Sequence, residues 1–385
     1  MQKIRVLIVD DSAVVRRLLT NALSVDSDIE VVGVAANGKI ALSKIPQLQP
    51  DLITLDIEMP EMDGLETLVA IRKIHPKLPV IMFSTLTERG AVATLDALAR
   101  GASDYVAKPS NTGSIELSIK KVQEELIPKI RVFCHRAENC LIAKPTLAAA
   151  SSRQPGGLLN TMTPNKPAGQ LNPQRTAPTQ RIDAVVIGTS TGGPNALTRV
   201  LPNLSADLQV PIFIVQHMPP IFTARLAERL DQLSAISVVE AADNMKVEPG
   251  RAYLAPGDFH LKLTRRGSDV QTILSQEAPE CSCRPAVDVL FRSAASLYGA
   301  NILAVILTGM GQDGLVGCQL IRNQGGQVIA QDEASSVVWG MPGAITKAGL
   351  AHEVLPLDAV ARAIQLQVCR GRNSNSTRLA GAAPS

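Results

Sequence analysis

Ser190 lies in the stretch GTSTGGP, residues 188–194, directly after the apolar run DAVVI. Gly188 and Gly192 flank it in a G-x-S-x-G spacing. Close glycines let a serine stand exposed where a strand turns into a helix, and the amides opening that helix favour an oxyanion. A hydroxyl nucleophile needs a base. The second half of the chain offers His217, His260 and His352. His217 is the best candidate, because it directly follows the buried run PIFIVQ and so stands at a strand's carboxyl end. The acid that would orient it should come from another such end, and ILAVILTGMGQDG supplies Asp313. Each residue alone has a blander reading: an anion-binding turn, a core histidine, a helix cap. No lysine follows GTSTGG as a nucleotide-binding P-loop would require. The order Ser, His, Asp is not that of α/β-hydrolases, although triads recur on unrelated folds.

A second constellation precedes it. Asp10 and Asp11 close VLIVDD, Asp56 closes LITLD, Ser84 ends the fourth strand run and Lys108 the fifth. Ligands of an open α/β sheet bind beyond the carboxyl ends of its strands. Three carboxylates converging there repel one another unless a cation is present. Mg²⁺ suits them, since it takes a few carboxylates and keeps waters for an incoming phosphate. The hydroxyl of Ser84 and the ammonium of Lys108 would hold phosphoryl oxygens. Capping of the next helix would explain Asp10 and Asp11 alone, but not five polar residues at four strand ends.

These residues need strands to carry them. Residues 3 to about 125 alternate IRVLIVD, IEVVGVA, DLITLDI, PVIMFST and DYVAKP with helical stretches such as GLETLVAIRKI, and KKVQEELIPKI reads as a closing helix. Alternation of this kind implies a parallel, doubly wound sheet. From 181 the pattern restarts as strand, glycine loop and helix, with FTARLAERLDQL as a further helix. GRAYLAPGDFHLKLTRRGSDVQTIL reads as an antiparallel insertion turning at RRGSD. The expected domains are 1–125, a linker over 126–180 rich in Pro, Gly and Ser, 181–370, and a disordered tail over 371–385.

Composition narrows the function classes. At 385 residues the chain exceeds one ordinary core. A net charge of +3 and the lack of a basic recognition helix argue against nucleic acid as partner. No apolar stretch approaches the roughly 20 residues of a membrane span, and the first residues do not read as a signal peptide. The six cysteines are scattered, only Cys281 and Cys283 being close, and are expected as free thiols in a reducing cytoplasm.

Residues 1 to about 125 resemble the receiver domain of bacterial response regulators. The resemblance implies Asp56 as phosphoacceptor, Asp10 and Asp11 with Asp56 as Mg²⁺ ligands, Lys108 as phosphate contact, and Ser84 and Tyr105 as switch residues. The motifs GTSTGGP, QHMPPIFTARLAERL, YLAPGDFHL, RPAVDVLF, LTGMGQDG and WGMPGAI resemble the catalytic domain of the CheB family, chemotaxis response regulators with protein-glutamate methylesterase activity. By that resemblance Ser190 is the nucleophile, His217 the base and Asp313 its orienting acid. Thr191 and the Met310 amide would form the oxyanion site, and Arg284 would help hold the acidic substrate segment. The esterase domain would be Rossmann-like, behind a flavodoxin-like receiver. The expected protein is a cytoplasmic monomer, phosphorylated by a chemotaxis histidine kinase, that demethylates and deamidates methyl-accepting chemoreceptors and needs no cofactor for the esterase. The alternative is a response regulator whose second domain only binds a partner.

Overall fold

A computed structural model describes residues 3–109, 115–134 and 181–380, with backbone only from 371. The linker expected over 126–180 lies outside the described residues from 135 onward.

The first domain is a five-stranded parallel sheet of order β2-β1-β3-β4-β5. Its strands are β1 (Ile4–Val9), β2 (Ile29–Ala35), β3 (Leu52–Asp56), β4 (Val80–Ser84) and β5 (Asp104–Ala107). They alternate with α1 (Ala13–Leu23), α2 (Gly38–Leu48), α3 (Gly64–Ile74) and α4 (Glu88–Ala99), and α5 (Ile115–Phe133) closes the domain. β3 and β4 are buried on both faces, which is why their sequences are unbroken apolar runs rather than alternating ones. Helix starts follow local chemistry. Ser12 caps α1, and Asp63 and Glu66 form a reciprocal capping box on α3. Connectivity reverses between β1 and β3, so Asp10 and Asp56 flank the switch point where ligands bind. The closing helix extends beyond the boundary at 125 to Phe133, because Val122, Leu126 and Ile130 recur at helical spacing and bury against β1 and β4 residues.

The second domain is a seven-stranded sheet of order β14-β13-β12-β6-β7-β9-β8, parallel throughout. Its strands are β6 (Ala184–Thr189), β7 (Ile212–Gln216), β8 (Ser237–Glu240), β9 (Arg251–Leu254), β12 (Ile302–Ile306), β13 (Gln327–Gln331) and β14 (Glu353–Leu355). The helices bearing on the site are α6 (Gly193–Val200), α7 (Phe222–Leu233) and α8 (Val287–Tyr298), and α9 (Leu315–Asn323) and α10 (Met341–Lys347) follow. Only β10 (His260–Arg266) and β11 (Asp269–Ser275) form the antiparallel hairpin. The expected insertion therefore begins too early. Arg251–Leu254 joins the main sheet between β7 and β8, where its AYL run is fully buried. The last helix, α11 (Leu357–Ala380), continues into the segment from 371 expected to be a disordered tail.

The domains touch. α4 packs on α6 and α7. Tyr105 stacks on Phe222 with ring centroids 5.1 Å apart. Around that stack, Asp96 pairs with Arg229 at 2.7 Å, Glu88 with Arg225 at 2.7 Å, and Asn195 donates to the Leu98 carbonyl at 3.0 Å.

Candidate active site

The order in which strands are added reverses between β6 and β12, so the residues after those parallel strands meet at the second domain's switch point. Ser190 follows β6, His217 follows the neighbouring β7, and Asp313 lies in the loop after β12. Register carries Ser190 and His217 side by side: Thr189 pairs with Gln216, and the His217 amide donates to the Thr189 carbonyl at 3.2 Å. The serine turn is held from behind. Ser190 N and Thr189 Oγ1 both donate to the Thr308 carbonyl, at 3.1 and 3.0 Å. Gln216 Nε2 donates to the carbonyls of Ser190 and His217 at 2.9 and 3.0 Å, bridging the two loops. Gly192 has φ +78°, a left-handed conformation that glycine adopts without strain, and a Cβ there would stand 2.7 Å from Val337 Cβ.

Asp313 is 2% exposed. Its Oδ1 accepts from the Asp288 amide at 2.9 Å, and its Oδ2 from the Val287 amide at 2.7 Å, both at the start of α8. Oδ2 also contacts His217 Nε2 at 2.8 Å. Burial works to raise the Asp313 pKa, but His217 and the two amides outweigh it and hold the carboxyl below its usual range. Burial likewise opposes charging of His217, yet the hydrogen bond with Asp313, with a smaller contribution from Cys283, pushes its pKa up to about 9. Nδ1 is then the ring nitrogen left for a substrate-side proton. It faces Cys283 Sγ at 3.5 Å, and no hydrogen bond among the described residues links the Ser190 hydroxyl to the imidazole. The Cys283 contact has no sequence signal, because it joins residues far apart in the chain.

The segment carrying Met310 passes directly over Ser190: a Cβ on Gly309 would lie 2.9 Å from Ser190 Cβ. The amides of Thr191 and Met310 make no hydrogen bond to a described residue. Arg284 is committed elsewhere. Its guanidinium donates to Asp258 Oδ1 at 2.6 and 3.0 Å and to the Gln276 and Glu277 carbonyls at 3.1 and 3.0 Å. His260 lies between the Ala278 carbonyl and the Ala286 amide, and His352 Nδ1 accepts from the Val328 amide. Among the described residues neither makes a hydrogen bond to Ser190.

In the first domain, ligand atoms of Asp10, Asp11 and Asp56 lie within 4.8 Å of one another. Lys108 Nζ reaches Asp56 Oδ1 at 2.8 Å and Asp10 Oδ2 at 3.0 Å. Burial raises the pKa of Asp56 to about 6, with Lys108 opposing the rise. Asp10 Oδ2 is buried and, despite its closeness to Lys108, makes no well-directed hydrogen bond. Three hard carboxylate donors with such an under-satisfied oxygen fit Mg²⁺. Ser84 Oγ donates to the Gly90 carbonyl at 3.2 Å, in the first turn of α4.

The CheB methylesterase family model matches residues 185–364, and the response regulator receiver domain model matches 6–120. A "Protein-glutamate methylesterase/protein-glutamine glutaminase" of Trichodesmium erythraeum is 54% identical over 94% of this chain and 99% of its own length. A protein of the same name from Nocardioides is 51% identical over 97% of this chain and 98% of its own. The crystal structure of the Thermotoga maritima CheB methylesterase catalytic domain is 45% identical, covers 47% of this chain and 96% of that one, and has a TM-score of 0.46.

Proposed function

The chain belongs to the CheB family of protein-glutamate methylesterases/protein-glutamine glutaminases, hydrolases that here carry a receiver domain in front, and from that premise we propose that Ser190, His217 and Asp313 are its catalytic triad. The observation that carries the proposal is the 2.8 Å contact of His217 Nε2 with an amide-held Asp313, next to the Ser190 turn. Ser190 Oγ attacks the γ-carbonyl of a glutamate methyl ester on a chemoreceptor, and its proton passes to His217 Nδ1. Asp313 fixes the tautomer that leaves Nδ1 free and balances the imidazolium. Negative charge on the carbonyl oxygen meets the unpartnered amides of Thr191 and Met310, each donor contributing roughly 2.7–4 kcal/mol to lowering the barrier. The imidazolium returns the proton to the departing methoxide, and methanol leaves. Water, deprotonated by the same nitrogen, hydrolyses the acyl-enzyme. A glutamine amide follows the same course and releases ammonia. Arg284 would have to leave Asp258 to hold an acidic substrate segment.

The receiver domain takes its phosphoryl group from a phosphodonor such as a histidine kinase. Asp56 accepts it and Lys108 pairs with its oxygens. Asp10, Asp11 and Asp56 would hold Mg²⁺, which would supply charge neutralisation at the phosphoryl group. Ser84 then has a new partner and lets go of Gly90, which biases α4, and α4 rests on the two helices that follow Ser190 and His217. Phosphorylation thereby loosens the receiver from the esterase. Release of methanol from methylated receptors by the purified protein tests the reading. Ser190→Ala should lower the rate on the order of 10⁶-fold in a folded protein, and near-normal release would refute the triad.

A further inference from the structure

We propose that Cys283 is an oxidation site, a thiol paired with His217 that a small hydroperoxide converts to a sulfenic acid, and that this modification shuts the esterase by taking over the Nδ1 nitrogen. The inference rests on His217 being the base.

The geometry is a Cys–His pair inside the catalytic centre. Glu280 and Cys283 exchange both backbone hydrogen bonds, at 3.1 and 2.8 Å, across a tight turn through Cys281 and Ser282, both at positive φ. That turn fixes Cys283 with its Sγ 3.5 Å from Nδ1. The same pairing of a thiol with an imidazole generates reactive thiolates elsewhere in protein chemistry. Cys283 is partly exposed, so a molecule the size of hydrogen peroxide has access. Cys281, two residues away and more exposed as a residue, is the contrasting thiol. Burial of its sulfur and the carboxylates of Asp313 and Asp288 push its pKa up to about 11. A thiol raised in this way carries roughly 100-fold less thiolate, offset only in part by its greater intrinsic nucleophilicity, so it reacts about tenfold more slowly. The exposed cysteine is thus slowed relative to an ordinary thiol, whereas Cys283 has an imidazole nitrogen in contact with its sulfur.

The step balances simply. His217 Nδ1 takes the thiol proton, and the sulfur attacks one peroxide oxygen. The O–O bond breaks, and the departing oxygen takes the proton back as water or an alcohol. The sulfur is oxidised to Cys283–SOH while the peroxide is reduced. The added hydroxyl beside Nδ1 then competes with Ser190 for the imidazole.

The full-length protein is treated with hydrogen peroxide, sulfenic acid is trapped with dimedone, and each cysteine peptide is quantified by mass spectrometry alongside methanol release. Cys283, held against the imidazole, should be modified before Cys281, and activity should fall in step with occupancy at Cys283. Omitting dimedone and adding dithiothreitol should restore the rate. Cys283→Ala should keep its own starting rate through the treatment, and His217→Gln should slow modification of Cys283. The proposal is overturned if Cys281 is modified first, if His217→Gln leaves Cys283 modification unchanged, or if a fully blocked Cys283 leaves the rate intact. Failure of the triad reading shows separately, as activity in Ser190→Ala.

Discussion

His217 carries two opposed demands. To act as base it must be neutral, yet the Asp313 carboxylate favours its charged form strongly enough to bring its pKa to about 9. Below that value the neutral fraction falls tenfold per pH unit, so kcat/KM for the ester should climb about tenfold per unit as pH rises from the ordinary histidine range and level off near pH 9. A profile flat from pH 6.5 to 9 would contradict this. The sign for stability is the reverse. A raised folded-state pKa favours the fold fully below the unfolded pKa of 6.5, and the contribution is lost as pH rises through about 9. Asp313→Asn removes the main charge that raises the imidazole pKa. The inflection should move to lower pH while the plateau falls by about 10⁴-fold, since an amide no longer secures the tautomer. Rate–pH profiles of the two proteins check both movements.

At the level of elements, the placement of Ser190, the proposed nucleophile, depends on how β6 enters α6. The turn at Gly192 combines φ +78° with Val337 packed where a side chain would go. Gly192→Ala should therefore destabilise the protein by about 1–3 kcal/mol through backbone strain and also displace Ser190, so that the rate drops further than the folded fraction does. Urea unfolding and methanol release on one preparation separate the two effects. A fully stable, fully active Gly192→Ala protein would mean that the turn adapts. The α8 start is the matching device on the other side: the Val287 and Asp288 amides hold a buried carboxylate that would otherwise resist ionisation.

At the level of the molecule, the question is how the proposed phosphate site would speak to the proposed ester site. Tyr105 of the first domain stacks on Phe222 of the second, five positions along the chain from His217. Such an aromatic pair contributes about 0.5–1.5 kcal/mol beyond the area it buries, and the exposed pairs Asp96–Arg229 and Glu88–Arg225 add little each. Loss of that stacking energy corresponds to a shift of roughly 2–13-fold in a two-state equilibrium. Unphosphorylated Tyr105→Ala should accordingly release methanol several-fold faster than the parent. Asp56→Asn should keep the parent's basal rate and lose the response to a small phosphodonor with Mg²⁺. An unchanged Tyr105→Ala rate would remove the stack from the coupling, and a phosphodonor response in Asp56→Asn would remove Asp56. No described helix is long and apolar enough to cross a membrane.

The parallel strands were legible because buried strands are continuous apolar runs. Ser190, His217 and Asp313 were legible as candidates because polar residues ending such runs can only gather at one rim of the sheet. The acidic cluster was legible for the same reason. Periodicity could not separate Arg251–Leu254 from the hairpin that follows it, since a short strand takes its partner from long-range pairing. Nor could it stop α11, whose continuation past 370 shows no apolar stripe. The reversal between β6 and β12, which brings Asp313 to His217, belongs to the sheet order and not to any local stretch. The Cys283–His217 contact and the Tyr105–Phe222 stack are of the same kind. Each joins side chains far apart in the chain, and only the packing of whole elements decides which of many possible neighbours they meet.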